Sequence, residues 1–117
     1  MKRAIFLDID GTILDCIRGI TEITPKVKAV IRMLQKNGDY VFIATGRPYA
    51  FLSKAILDFG FDGFILANGA QVIIDNKVIY ENPMDKEDVK EITTDLEKIN
   101  VQYILEGKTY AYMKEEF

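Results

Sequence analysis

Two aspartates follow a short apolar run near the start of the chain. Residues 4–7 read AIFL, and residues 8–12 read DIDGT. Residues two apart in an extended segment point the same way, so Asp8 and Asp10 are predicted to converge on one cation or one substrate. The same five residues also suit a plain acidic turn, because Asp and Gly both favour turns.

Two further polar segments follow apolar runs in the same manner. Residues 45–48 (TGRP) follow the run at 40–44, and residues 68–70 (NGA) follow the run at 64–67. A continuous apolar run predicts a strand buried on both faces, which is typical of a parallel α/β sheet. Ligands bind at the carboxyl ends of such strands, so the three polar segments are predicted to form one site.

Helical patterns separate these runs and complete a β-α-β-α-β order. The first pattern has Thr24 as N-cap, Pro25 at the first position and a stop at Gly38. A second helix is expected to bury residues 52, 55, 56 and 59. Ile13 to Ile23 has no clean period, and a turn-rich flap is expected there.

The last third of the chain has a different pattern. Strands at 72–74 and 78–80 are predicted to form a hairpin around residues 75–77. A helix near Asp85 is expected to point residues 89, 92, 96 and 99 inward. Two short strands, 101–105 and 109–113, are expected after it.

Composition narrows the function. The chain has 117 residues, a net charge of -3, no histidine and one cysteine. Without histidine, a His-activated nucleophile and His-ligated zinc are excluded, so carboxylates must carry any chemistry. No basic stripe favours nucleic acid, and no polybasic patch or long apolar segment favours a membrane. A cytoplasmic location is expected.

The order and spacing of DIDGT, TGRP and NGA resemble the motifs of the haloacid-dehalogenase-like (HAD) phosphotransferases, Cof-type sugar-phosphatase branch. The resemblance covers essentially the whole chain. It implies an α/β fold in which residues 1–82 form the N-terminal part of a Rossmann-like, parallel, three-layer core. Residues 83–117 resemble the start of that branch's α/β cap domain.

The resemblance also implies roles. Asp8 would attack phosphorus to give an aspartyl-phosphate, and Asp10 would move the proton, with a pKa raised by its like-charged neighbour and partial burial. Mg²⁺ would be held by Asp8 and the Asp10 backbone carbonyl. The phosphate- and substrate-binding candidates are Thr12, Thr45, Gly46, Arg47, Asn68 and Gly69.

Several of these assignments have alternatives. The Gly46 N–H is expected at a helix start, where it would hold phosphate, although this segment also suits a simple strand-to-helix turn. Arg47 either grips an anion or pairs with a surface carboxylate. Asn68 and Gly69 either wall the substrate site or form a turn into the hairpin.

Two parts of the family pattern are missing, a Lys and a later acidic motif resembling GDxxND. The chain is therefore expected to be a fragment, a truncated reading frame or a protomer completed by a partner, with self-association through an exposed sheet edge. The expected function is a Mg²⁺-dependent phosphatase of small phosphorylated metabolites. The alternatives are a phosphomutase relative and an inactive assembly module.

Overall fold

The computed structural model describes residues 1–115, which form seven strands and three α-helices. The strands are β1 (Ala4–Leu7), β2 (Tyr40–Ala44), β3 (Gly63–Leu66), β4 (Gln71–Ile74), β5 (Lys77–Glu81), β6 (Leu105–Glu106) and β7 (Ala111–Tyr112). The helices are α1 (Pro25–Lys36), α2 (Lys54–Asp58) and α3 (Lys86–Lys98). Short 3₁₀ turns lie at Cys16–Arg18, Tyr49–Phe51 and Ala67–Gly69.

Five strands form one sheet in the order β1-β2-β3-β4-β5. β1, β2 and β3 are parallel, and β4 and β5 add an antiparallel hairpin. The hairpin turn is Asp75-Asn76, with φ angles of 51° and 59°. Positive φ at both central residues is the geometry of a two-residue type I′ turn, which Asp and Asn tolerate.

The core lies between one face of this sheet and the helices α1 and α2. Val41 and Ile43 of β2 are fully buried in it, together with Ile31 of α1 and Ile56 of α2. The predicted start of α1 is confirmed, because the Thr24 hydroxyl accepts a hydrogen bond from the Val27 N–H at 3.3 Å. Ile13 to Ile23 forms the compact turn-rich flap that was expected.

The prediction that residues 4–7 are buried on both faces is wrong. β1 is an edge strand of the sheet and pairs with β2 alone. Phe6 is 55% exposed and stacks on Phe42, with 5.3 Å between ring centroids. Ile5 and Leu7 pack against the core, so the alternation of side chains along β1 places the Phe6 ring on the opposite face of the sheet.

Helix α2 is shorter than its sequence pattern suggested. It spans five residues, and a 3₁₀ turn precedes it. Leu52 and Ile56 are buried as predicted, but Ala55 is exposed. A helix this short presents a single buried turn to the core, so only part of the predicted apolar face is used.

The last third of the chain differs more from the sequence prediction than the earlier parts do. Helix α3 begins beside its N-cap Asp85, whose carboxylate accepts the Glu87 N–H. The predicted inward face is wrong for Ile92 and Ile99, which are exposed, whereas Val89 and Leu96 are half-buried and no residue of α3 is fully buried. The final strands are two residues each, and β6 includes Glu106, which lies between the two predicted strands.

The fold class is confirmed as the N-terminal part of a Rossmann-like α/β core. Residues 1–115 contribute the sheet and one helical layer. The boundary between a core at 1–82 and a cap at 83–117 stays a prediction, and residues 116–117 lie outside the described part of the chain. No helix in the described part is both long and apolar enough to span a membrane.

Candidate active site

An open pocket of about 370 Å³ lies at the carboxyl ends of β1, β2 and β3. Its walls are Asp8, Ala44, Thr45, Gly46, Ile65, Asn68 and Gly69. All three motifs therefore contribute to one place, as the parallel topology predicted. The pocket combines one carboxylate with hydroxyl, amide and backbone N–H groups, a set that suits a phosphate ester.

Asp8 is the acidic group of this pocket. It is the first residue after β1, and its Oδ1 accepts a hydrogen bond from the Ile9 N–H at 2.8 Å. This bond orients the carboxylate and leaves Oδ2 available to a ligand. The next turn is held tightly, because the Ile9 carbonyl accepts the N–H groups of Thr12, Ile13 and Leu14 at 3.0 to 3.1 Å.

The second motif is fixed through its backbone. The Thr45 N–H donates to the Ile65 carbonyl at 2.9 Å, and the Thr45 hydroxyl accepts the Arg47 N–H at 3.0 Å. The Arg47 carbonyl in turn accepts the Ala67 N–H at 3.0 Å. Since Thr45 Oγ accepts this bond, its own hydrogen remains available to donate to an anion.

The third motif is a strained turn. Ala67, Asn68 and Gly69 have φ angles of 50°, 56° and 96°. The Asn68 N–H donates to the Thr45 carbonyl at 3.2 Å. A Cβ on Gly46 would lie 3.0 Å from Asn68 Oδ1, so the glycine lets the amide approach the second motif. Three successive left-handed residues are costly, and such strain is concentrated at functional sites.

Asp10 and Arg47 form an ion pair at the side of the pocket. Arg47 Nε lies 2.8 Å from Asp10 Oδ2, and Arg47 Nη2 lies 2.5 Å from Asp10 Oδ1. Arg47 Nη1 also donates to the Phe51 carbonyl at 3.1 Å. The side chains are 57% exposed for Asp10 and 25% for Arg47.

This pair overturns the expected state of Asp10. The hydrogen bond from Arg47 holds the pKa of the Asp10 carboxyl below its ordinary value, against a smaller opposing effect of burial. The predicted increase in the pKa of Asp10 rested on the nearby Asp8 carboxylate and on partial burial. The Arg47 guanidinium, 37 residues away in the chain, has the opposite effect. Asp8 and Asp10 therefore do not share one environment, because only Asp8 lines the pocket.

Two other predicted site residues are placed differently. Thr12 is exposed in the turn after Asp10 and does not line the pocket. The Gly46 N–H does not start a helix, since the 3₁₀ turn begins at Tyr49 and α2 at Lys54. It donates to no other group in residues 1–115, so it is free to hold an anion without a helix dipole.

Sequence reasoning missed two residues of the pocket wall. Ala44 and Ile65 are directly paired across β2 and β3 and form the apolar floor of the pocket. Their position at strand ends was the available signal. Cys16 lies near the Arg47 guanidinium, whose pKa is raised chiefly by Asp10 and to a smaller extent by Cys16.

The donor set is smaller than a complete magnesium site needs. Mg²⁺ prefers near-octahedral oxygen ligands. Within residues 1–115 no group of three or more acidic or thiol side chains is close enough to hold a metal ion. Asp8 offers a carboxylate oxygen, while both Asp10 oxygens are bound to Arg47. The described residues thus fit part of a magnesium site.

The fold and pocket define a class of α/β protein in which a carboxylate at the end of the first strand faces a pocket lined by hydroxyl, amide and backbone N–H groups. The matching family model, haloacid dehalogenase-like hydrolase, covers residues 5–116. The chain belongs to this family.

Relatives and solved structures agree with that assignment. The chain is 44% identical over 92 residues to the protein named "Putative phosphatase YkrA" of Bacillus subtilis (strain 168), covering 78% of this chain and 34% of that protein. It also resembles a hypothetical protein from Geobacillus kaustophilus HTA426, with TM-score 0.83 and 28% identity over 95% of this chain and 42% of the other.

A further solved structure is that of the HAD subclass IIB sugar phosphatase BT4131. It matches with TM-score 0.77 and 29% identity, over 95% of this chain and 43% of that chain. The chain therefore spans about a third of the curated relative named above and about two-fifths of these solved structures.

Proposed function

We propose that this chain carries the nucleophile-bearing part of a Mg²⁺-dependent phosphatase of small phosphorylated metabolites, acting through an aspartyl-phosphate. The observation that carries the proposal is the position of Asp8, with one carboxylate oxygen anchored and the other available in an anion-binding pocket. Membership of the hydrolase family supports it. Sugar phosphates are the proposed substrate class, supported by the likeness to a sugar phosphatase.

In the first step, Asp8 Oδ2 forms a bond to phosphorus as the bond between phosphorus and the ester oxygen breaks. Asp10 supplies the proton that the leaving oxygen needs, which requires that its carboxyl is first released from the Arg47 hydrogen bonds that lower its pKa. In the second step, water attacks the phosphorus of the aspartyl-phosphate and gives its proton to Asp10. Inorganic phosphate leaves, and the Asp8 carboxylate is restored.

The other pocket groups would hold the phosphate oxygens. The Thr45 hydroxyl, the Gly46 N–H and the Asn68 side chain face the same space as Asp8. Each donates a hydrogen bond without adding charge, and fixed donors around the equatorial oxygens lower the barrier to phosphoryl transfer. Thr12 and Arg47 remain candidates that have no contact with the pocket in this conformation.

Mg²⁺ would be held by the Asp8 carboxylate and the Asp10 carbonyl. When bound, it neutralises charge on the phosphoryl group. Residues 83–117 are proposed to be the start of a cap, joined to the sheet by a Lys108–Glu81 ion pair at 3.3 Å and by the Gln71 side chain, which donates to the Lys108 carbonyl at 3.4 Å.

The test is turnover of a panel of phosphorylated metabolites with Mg²⁺, using this chain and any longer natural protein that contains it. Asp8→Asn is expected to lower turnover by about a thousandfold or more, because it removes the attacking atom. Its thermal unfolding should be unchanged. Asp58→Asn is the matched control, since Asp58 is an exposed carboxylate on α2 and does not line the pocket. Full activity of Asp8→Asn would end the proposal.

An inactive assembly module is the second candidate. The observation that favours it is the partial metal donor set within residues 1–115. The wild-type chain would then release no phosphate from any ester, while a longer protein supplying a Lys and a second acidic motif would do so. A phosphomutase would give an isomerised phosphate ester in the same assay instead of free phosphate.

A further inference from the structure

The Arg47 guanidinium has two donor pairs that can bind an oxyanion, Nε with Nη2 and Nη1 with Nη2, and Asp10 occupies the first of them. Nε and Nη2 each donate to one Asp10 oxygen, and Nη1 donates to the Phe51 carbonyl. The Nε and Nη2 edge is also one that would grip a phosphate with two parallel hydrogen bonds. Arg47 therefore cannot hold Asp10 and a phosphate through the same edge at once.

The backbone of Arg47 is anchored independently of its side chain. Its N–H is bound to the Thr45 hydroxyl, and its carbonyl is bound to the Ala67 N–H. Arg47 also directly follows Gly46, a wall of the pocket. A change of side-chain rotamer would move the guanidinium without moving this backbone. The Asp10 partner is more than half exposed, so solvent reaches and screens the ion pair, and an anion can compete for the same donors.

We infer that Arg47 exchanges partners when a ligand binds. In the free protein its Nε and Nη2 groups bind Asp10, and in the complex they bind the phosphate of the ligand and release Asp10 toward the leaving oxygen. We call this arrangement the exchange clamp. This inference rests on the proposed phosphate site. It gives Arg47 a positioning role in the free state and a binding role in the complex. It also explains why a candidate phosphate-binding side chain points away from the pocket.

The clamp predicts an unusual response of phosphate affinity. Because Asp10 competes with phosphate for Arg47, Asp10→Asn should bind inorganic phosphate more tightly than the wild type, by up to about fivefold. Arg47→Met should bind it more weakly. In the Arg47→Met background, Asp10→Asn should change the phosphate affinity little further, because the guanidinium for which Asp10 and phosphate compete is absent.

A matched pair controls for plain charge repulsion. Asp15 and Arg18 form an ion pair in the flap at Ile13 to Ile23, with Asp15 Oδ2 3.4 Å from Arg18 Nε. Asp15→Asn removes one negative charge from the segment that follows Asp10 in the chain, without removing a partner of Arg47, and should leave phosphate affinity unchanged. Arg47→Lys keeps the charge but loses the paired donors, and it should behave like Arg47→Met if bidentate binding is what matters.

The experiment is calorimetric titration of inorganic phosphate into these variants of the full chain, with and without Mg²⁺. A gain in Asp10→Asn that disappears with Arg47→Met supports the clamp. Phosphate binding in the wild type without that gain, or with a gain that persists in Arg47→Met, overturns the clamp and leaves the phosphate site standing. No phosphate binding by any variant also overturns it, and the metabolite turnover assay then judges the proposed function separately.

Discussion

The two aspartates of the DIDGT loop have different neighbours, although they lie two residues apart. Asp8 is held by the N–H of the next residue, whereas Asp10 is held by a side chain 37 positions along the chain. Local spacing could predict which residues lie at the strand end. It could not predict the Asp10–Arg47 pair, because a long flexible guanidinium finds its partner only after the strands are assembled.

Asp10→Asn tests the proton-transfer role at this scale. The variant keeps Asp8, so it should still form the phospho-enzyme, but it should slow both formation and hydrolysis by about 10² to 10⁴. Rapid-quench measurement of the phospho-enzyme and of released phosphate separates the two steps. A variant slowed in one step alone would show that Asp10 does not act as the shared acid and base.

Metal affinity belongs to the residue scale too. With one carboxylate and one carbonyl as the proposed protein ligands, the isolated chain should bind Mg²⁺ only in the millimolar range or more weakly. Calorimetric titration of Mg²⁺ into the chain measures this directly. Tight binding with a stoichiometry of one would mean that the site has more ligands than the described residues provide.

At the scale of elements, strands and helices with strong local signals were predicted well. The bounds of β1, the cap of α1 and the hairpin turn follow from apolar runs, a Thr-Pro start and two turn-forming residues. Helix α2 and the last two strands were predicted too long. Residue propensity identifies a helix or strand, but the length of that element depends on what the element packs against. Helix α3 has no fully buried residue within residues 1–115.

An ion pair between Arg3 and Asp39 joins the residue before β1 to the residue before β2. Asp39 has a side chain only 2% exposed, and it accepts three hydrogen bonds from Arg3, through the backbone N–H, Nε and Nη2. These bonds lower the pKa of the Asp39 carboxyl, chiefly through the Arg3 side chain. A lowered folded-state pKa stabilises the protein fully above the ordinary carboxyl value of about 3.9.

That stabilisation should be lost as the pH falls below about 4 and through the lowered folded-state pKa. Asp39→Asn should therefore unfold at a lower temperature than the wild type near neutral pH, and the difference should shrink in acid. Thermal unfolding followed by circular dichroism from neutral to acidic pH measures it. Parallel wild-type and variant curves at every pH would show that the pair does not couple protonation to stability.

At the scale of the whole molecule, much surface is left uncovered. The accessible surface is 8674 Å², whereas a compact monomer of this mass exposes roughly 6,500 Å². The radius of gyration is 16.9 Å, against roughly 13.4 Å for a compact domain of this length. The excess of about 2,200 Å² is more than the roughly 800 Å² that each partner buries in a standard protein–protein interface.

The isolated chain is therefore predicted to self-associate through the free edge of β1, and not to behave as a stable, active monomer. Sedimentation of the wild type should show oligomers. Phe6→Lys, which places a charge on β1, should shift the distribution to monomer. Ile79→Lys places the same charge on β5, the opposite edge strand, and should not. A cooperative wild-type monomer would disprove this prediction.

The edge position of β1 also affects the mobility of Asp8, the proposed nucleophile. The Arg3 carbonyl accepts the Tyr40 N–H at 2.8 Å, so alternate residues of β1 bond to β2 while the backbone groups of Ala4 and Phe6 face outward. Asp8 comes one residue after this strand. A strand that is hydrogen-bonded on one side opens more easily than one bonded on both sides, so fraying of β1 would move the oxygen proposed to attack phosphorus. A segment that paired with the outer side of β1 would narrow the positional spread of Asp8, and it would affect the proposed reaction from a side of the molecule remote from the substrate.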